Sequence, residues 1–120
     1  PLDIGDCCSE LFIYYSDNPL SKEWHPHPKN PIFVDSTKAR NAGVLFDANS
    51  IYRVSQKQGF DMYGKGFSIN KIKVLSKEDY METEECFIEP NFFPNLLGSH
   101  HLHSNGNISV FDYVENKRAK

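Results

Sequence analysis

The sequence predicts an all-β chain built from antiparallel four-stranded sheet units. Three observations carry that reading. Lys38 to Pro90 divides into four successive strand-like runs joined by short turns, with polar residues mostly at strand ends. No stretch carries helical apolar spacing for longer than about two turns. A second hairpin follows at His100 to Val114 and is the clearest in the chain. A lone antiparallel sheet has two faces to cover, so the pattern implies packing against further sheet.

Taken in order, Glu10 to Ser16 (ELFIYYS) is apolar on both faces and short, which predicts one buried strand. Asp17-Asn18-Pro19 ends it, because Pro lacks the amide donor and Asn and Asp favour turns. Ser21 to Pro31 predicts an ordered loop and no strand: Pro26, Pro28 and Pro31 hold the backbone in extended pieces, with Trp24 as anchor. Gly43 to Asp47 and Ile51 to Gln56 form a tight hairpin about Ala48-Asn49-Ser50. Gln58 to Gly66 is a glycine-rich loop. In Phe67 to Leu75 the apolar parity changes between Phe67/Ile69 and Ile72/Val74, which predicts a β-bulge near Asn70-Lys71. Ser76 to Asp79 is a turn or one helical turn. Tyr80 to Glu89 is a polar strand whose Glu82, Glu84 and Glu85 suit a solvated, charge-guarded edge. Asn91 to Leu97 is a connecting loop, and Asn105-Gly106 turns the last hairpin. Two hairpin-rich units about 50 residues apart suggest repetition of the propeller kind.

Composition excludes several function classes. A length of 120 residues allows one domain or a piece of one. A net charge of −3, without a basic stripe, argues against nucleic acid as partner. No apolar run approaches the roughly 20 residues of a membrane helix, and no signal peptide is visible. Three cysteines, Cys7, Cys8 and Cys86, make a poor disulfide framework, so reduced thiols and a cytoplasmic setting are expected. No cofactor is implied. Aromatics at 13% suit both sheets and sugar-ring faces.

Two constellations carry candidate chemistry. His101 and His103 lie at i and i+2, on one face of a strand, with His100 beside them; two imidazoles on one face plus a third ligand could hold zinc, although no Cys or carboxylate accompanies them at a ligand spacing. Hydrogen-bonded structural or ligand-contacting roles are the alternative. The second constellation is Arg40, Arg53, Gln56 and Tyr63. Arg offers a planar donor fork for vicinal oxygens, Gln both a donor and an acceptor, and Tyr an apolar face with a polar tip. Gly43, just after Arg40, permits close approach of another backbone. The plainer alternative pairs both arginines with carboxylates and places Tyr63 in the core. Asp35, Asp47, Asp61 and Asp112 are available for paired-carboxylate glycoside chemistry, but no context singles one out. No nucleophile elbow, phosphate loop or Cys-His pairing is present.

Six pieces occur in a fixed order: Trp24-x-His-Pro-His-Pro-x-Asn-Pro31, Ala39-Arg40-Asn-Ala-Gly43, Ile51-Tyr-Arg-Val-Ser-Gln56, Tyr63-Gly64 with Ile69 to Leu75, Tyr80-x-Glu82, and Gly98-Ser-His-His101. The series resembles the five-bladed β-propeller domain at the N-terminus of glucosamine inositolphosphorylceramide transferases and of bacterial proteins with formyltransferase-like domains. It is more distantly similar to the propellers of arabinanases and invertases. The resemblance implies about two blades, the last ones of the ring. Residues 10–35 would end one blade and its loop, 36–90 would form a four-stranded blade, and 98–114 would start the next. It further implies that Arg40, Gln56, Tyr63 and His101 face or border a central pocket. The acid residues of the related hydrolases would lie in earlier blades, so no catalytic residue carries over. A full ring needs roughly 250 to 300 residues, so missing upstream blades or self-association is expected.

Three functions follow: a propeller segment recognising a sugar or glycoconjugate, part of a glycosyl-transfer or glycoside-processing protein; a non-enzymatic structural or protein-interaction β-domain; and a small histidine-based metal protein.

Overall fold

The computed structural model describes residues 9–57 and 66–115. Among these the chain forms short strands and no helix: β1 (Glu10–Leu11), β2 (Tyr14–Tyr15), β3 (His25–Pro26), β4 (Phe33–Val34), β5 (Asn41–Asp47), β6 (Ser50–Lys57), β7 (Gly66–Leu75), β8 (Tyr80–Ile88), β9 (Leu96–Gly98), β10 (Leu102–Ser104), β11 (Ser109–Phe111) and β12 (Val114–Glu115). With no helix among them, none is long and apolar enough to cross a membrane.

The central element is an antiparallel meander from β5 to β8, extended at the β5 edge by the β10–β11 hairpin, in the order β11-β10-β5-β6-β7-β8. Asp47 pairs with Ser50 across Ala48-Asn49, and Ala48 takes φ 49°. The tight hairpin expected about Ala48-Asn49-Ser50 is thus a two-residue turn, with Ser50 already opening β6. The β7–β8 register shifts between Ile69 and Asn70 and again between Ile72 and Val74, where the parity change of the apolar residues places a bulge. Ser76 to Asp79 turns the chain between these strands, with the Asp79 amide donating to Ser76 Oγ at 2.9 Å.

β10 runs parallel to β5, with a single register partner, Ser104 opposite Leu45. Gly43 makes this approach possible. A Cβ there would lie 2.0 Å from the Leu102 carbonyl oxygen, and the backbone has φ +134°. The sheet's two faces then differ. On one, Ala42, Val54 and Phe67 form a small buried cluster to which Leu45, Ile88 and Leu102 add. On the other, Arg53, Ser55, Ser68 and Asn70 are buried and polar.

The flanking segments depart from the expected pattern. Glu10 to Ser16 is two short strands, with β1 pairing β4 and β2 pairing β3. The Asn30 side chain explains the interruption: its Oδ1 accepts from the Ile13 amide and its Nδ2 donates to the Ile13 carbonyl, each at 2.8 Å. An amide side chain thus replaces a ladder partner. The Pro/His segment, expected to be only a loop, contributes β3. His27, buried, docks it on the β7–β8 turn. Its Nδ1 accepts from the Lys29 amide at 3.1 Å, so Nε2 carries the proton that reaches the Ser76 carbonyl at 3.0 Å. The Lys29–Asp79 ion pair lies beside it. The expected connecting loop likewise contains β9, which pairs β12.

Candidate functional site

The polar face is organised around Arg53. Arg53 and Ser55 project from one side of β6, opposite Asn70 and Ser68 on β7. The guanidinium makes a forked contact with Glu82, Nε to Oε2 and Nη2 to Oε1, both 2.7 Å. Nη2 also donates to the Lys38 carbonyl at 2.7 Å, and the group stands 5.8 Å from the centre of the Phe33 ring. The two side chains are 7% and 4% exposed, so the pair is desolvated on both sides. Tyr80 donates its hydroxyl to Glu82 Oε2 at 2.5 Å. Burial pushes the Tyr80 phenol well above its ordinary value, and the neighbouring Glu82 carboxylate adds to the rise. Asn70 Nδ2 ties the layer together by donating to the Arg53 carbonyl at 3.0 Å and to Ser55 Oγ at 2.9 Å.

Glu82 is thus not part of a solvated edge. Its neighbours do behave as edge residues: Glu84 and Glu85 are exposed, although Glu84 accepts from Ser68 Oγ at 2.5 Å. Tyr80 and Glu82 lie at i and i+2 and share a face, but only the meander shows that Arg53, 29 positions earlier, meets them.

A second group of residues gathers where β5 begins and β6 ends. The Gln56 amide donates to the Arg40 carbonyl at 2.8 Å. Gln56 is 2% exposed, and its side-chain Nε2 has no hydrogen-bond partner among the described residues. Beyond Gly43 stands His101, whose Cε1 would lie 3.4 Å from a Cβ on that glycine. His101 and His103 are exposed, with near-parallel rings 6.4 Å apart, as their i, i+2 spacing predicts. His103 Nδ1 accepts from the Val44 amide at 3.4 Å.

Asp112 fixes the histidine run. Its Oδ1 accepts from the His100 amide at 2.7 Å and the His101 amide at 2.9 Å, while Oδ2 accepts from His100 Nδ1 at 3.2 Å. Partial burial pushes the carboxyl up, but these donors outweigh it and hold Asp112 below the usual carboxylate value. A folded-state pKa below the unfolded one adds stability above the unfolded value, and that stability is lost as pH falls through the folded value. Asp112→Asn is therefore expected to be less stable than the parent at neutral pH. The two should converge in acid below the ordinary carboxylate range, as read by urea denaturation across pH. A constant gap at all pH values would contradict this account.

Arg40, Gln56 and His101 thus lie near the start of β5. Arg53 lies on the opposite side of β6 from Gln56 and contacts the same chain segment through Lys38 and Ala39. Tyr63 lies outside the described residues, as do Asp61, Cys7 and Cys8; Cys86 is exposed on β8. Of the remaining candidate carboxylates, Asp35 caps its own turn, its Oδ1 accepting from the Thr37 amide at 2.8 Å, and Asp47 is exposed at the β5–β6 hairpin. Among the described residues no three His, Cys, Asp or Glu side chains converge as metal ligands, His100, His101 and His103 included.

Residues 5–92 match the family described as glucosamine inositolphosphorylceramide transferase 1, N-terminal. The chain belongs to this family. It is 49% identical over 82 residues to glucosamine inositolphosphorylceramide transferase 1 of Arabidopsis thaliana, covering 65% of this chain and 10% of that protein. The protein of the same name from Oryza sativa subsp. japonica is 42% identical over 77 residues, 62% of this chain and 10% of the relative. The chain therefore spans about a tenth of the length of the curated relatives it matches. No solved structure matches it. Family membership agrees with the transferase N-terminal part of the resemblance, and the described strands agree with an all-β chain.

Proposed function

We propose that the chain is a carbohydrate-related segment of a glycosylation protein, contributing about two blades of a five-bladed propeller and recognising a sugar or glycoconjugate. The relatives are named glucosamine inositolphosphorylceramide transferase, a name that joins a sugar, an inositolphosphorylceramide and group transfer. Two features of the fold support the blade reading. β5–β8 is a four-stranded meander, the size of a propeller blade. β10, opening the second unit, runs parallel beside β5, which opens the first, as neighbouring inner strands do around a common axis.

The observation that carries the site is the unmet donor of Gln56. Leaving a buried amide unpaired costs about 1–3 kcal/mol, a cost that a bound hydroxyl removes. In this reading Gln56 forms the floor, and Arg40 and His101 the rim. Arg53 holds Lys38 and Ala39, the two residues before Arg40. Glycan-array and calorimetric binding test it. Gln56→Met is expected to keep or raise the stability of the ligand-free protein while abolishing the glycan response, with Arg40→Ala and His101→Ala weakening it. If all three variants bind every responding glycan like the parent, the site assignment is wrong.

A structural or protein-interaction role without a sugar ligand is favoured by one observation. Phe92, Phe93, Phe111 and Tyr113 pack ring against ring yet remain well exposed, as residues at a covered surface do. A well-folded protein with no glycan response that self-associates or captures sheet partners would support this alternative.

A further inference from the structure

At the C-terminal end of β8, two strands across the sheet from Gln56, Phe87, Ile88, Glu89, Asn91 and Phe92 line an open groove of about 370 Å³. Pockets for small ligands begin near this size, at roughly 300 Å³. The residues combine two aromatic side chains with an adjacent carboxylate and amide.

The groove is held in shape by its own chain. Pro90 fixes the backbone between the two polar residues, and the Asn91 amide donates to the Glu89 carbonyl at 2.8 Å. Asn91 Nδ2 lies 3.4 Å from Glu89 Oε2, so the two side-chain heads stand side by side. Phe92 is braced edge-on by Phe93 at 5.3 Å and by Phe111 at 5.8 Å, and still exposes 39% of its surface. A braced, accessible ring beside a coupled acceptor and donor presents an apolar face and a polar pair at once.

We infer that this groove binds a neutral pyranose ring, with an axial C–H face laid on Phe92 and vicinal hydroxyls shared between Glu89 and Asn91. A cationic ligand fits less well, because Lys57 Nζ already stands 4.9 Å from the centre of the Phe87 ring. A second cation there meets like charge, and the Asn91 amide would have no task. The site is separate from the one proposed around Gln56 and does not depend on it.

The test is an amide-resolved NMR titration of the full chain with methyl glucopyranoside, with tetramethylammonium and glucosamine as separate arms. The neutral glycoside is expected to shift the amides of Phe87 to Phe92 saturably at millimolar concentration. Phe92→Ala and Glu89→Ala, both at exposed positions, should each weaken this at least tenfold, while Gln56→Met leaves it unchanged. The inference is overturned if those amides do not respond, if either groove variant binds like the parent, if Gln56→Met removes the response, or if either cationic probe binds more tightly than the neutral sugar. Because Gln56→Met separates the two sites, a silent groove says nothing against the Gln56 reading.

Discussion

Glu82→Ala is expected to destabilise the chain by about 3–5 kcal/mol, because it leaves the Arg53 guanidinium buried and uncompensated. Arg53 is 5% exposed, and its other partners, the Lys38 and Ala39 carbonyls, carry no full charge. Small domains hold only about 5–15 kcal/mol in total, so the single variant sits near the edge of folding. The double change Arg53→Met with Glu82→Leu removes both charges and keeps apolar volume; it should recover most of the loss. Arg53→Lys should not rescue the pair, since an ammonium cannot reproduce the forked contact with Oε1 and Oε2. Denaturant titration of all four proteins is the measurement. A loss below about 1 kcal/mol for Glu82→Ala would place the pair in the class of solvent-screened surface contacts and refute the desolvated geometry.

Gly43→Ala is the second large expected effect. The added methyl carbon would sit 2.0 Å from the Leu102 carbonyl oxygen and 2.8 Å from its carbon, both backbone atoms that no rotamer change can move. The φ of +134° adds conformational strain of about 1–3 kcal/mol for any residue with a side chain. The least costly response is for β10 to leave β5, because one register partner joins them, whereas six to eight partner pairs join each neighbouring couple from β5 to β8. Amide spectra of Gly43→Ala should therefore show β10 and β11 displaced while β6 and β7 keep their native positions. Native spectra throughout, with unchanged stability, would mean that the strands do not approach as described.

What the sequence discloses follows the range of the interactions involved. The Asp47–Ser50 hairpin, the bulge after Ile69 and the turn at Asn105-Gly106 are local matters, settled by neighbours a few residues apart. Gly43 was also legible, because the small Ala42-Gly43 step at a strand start permits close backbone approach. The parallel β5–β10 contact was not, since nothing in Leu102 to Ser104 names a partner some 60 positions away. Nor was the split of Glu10 to Ser16, which depends on the Asn30 side chain reaching back 17 positions to Ile13. For the candidate site, residue types offered Arg40, Gln56 and His101 as candidates. They could not reveal that Glu82, read as a solvated edge charge, lies buried against Arg53, nor that Asp112 spends its carboxylate on the His100 and His101 amides. Both facts depend on tertiary placement, and pattern alone assigns an acidic residue on a polar strand to water.

The polar layer on one side of the meander also decides which alignments of its strands are tolerable. Sliding β8 past β7 by two positions would preserve the alternation of faces and most ladder bonds, so apolar contacts alone would scarcely forbid it. It would, however, carry Glu82 away from Arg53 and leave the guanidinium without its buried carboxylate. The buried charges thus act chiefly as a veto on misaligned sheets, selecting one pairing through the penalty attached to every other.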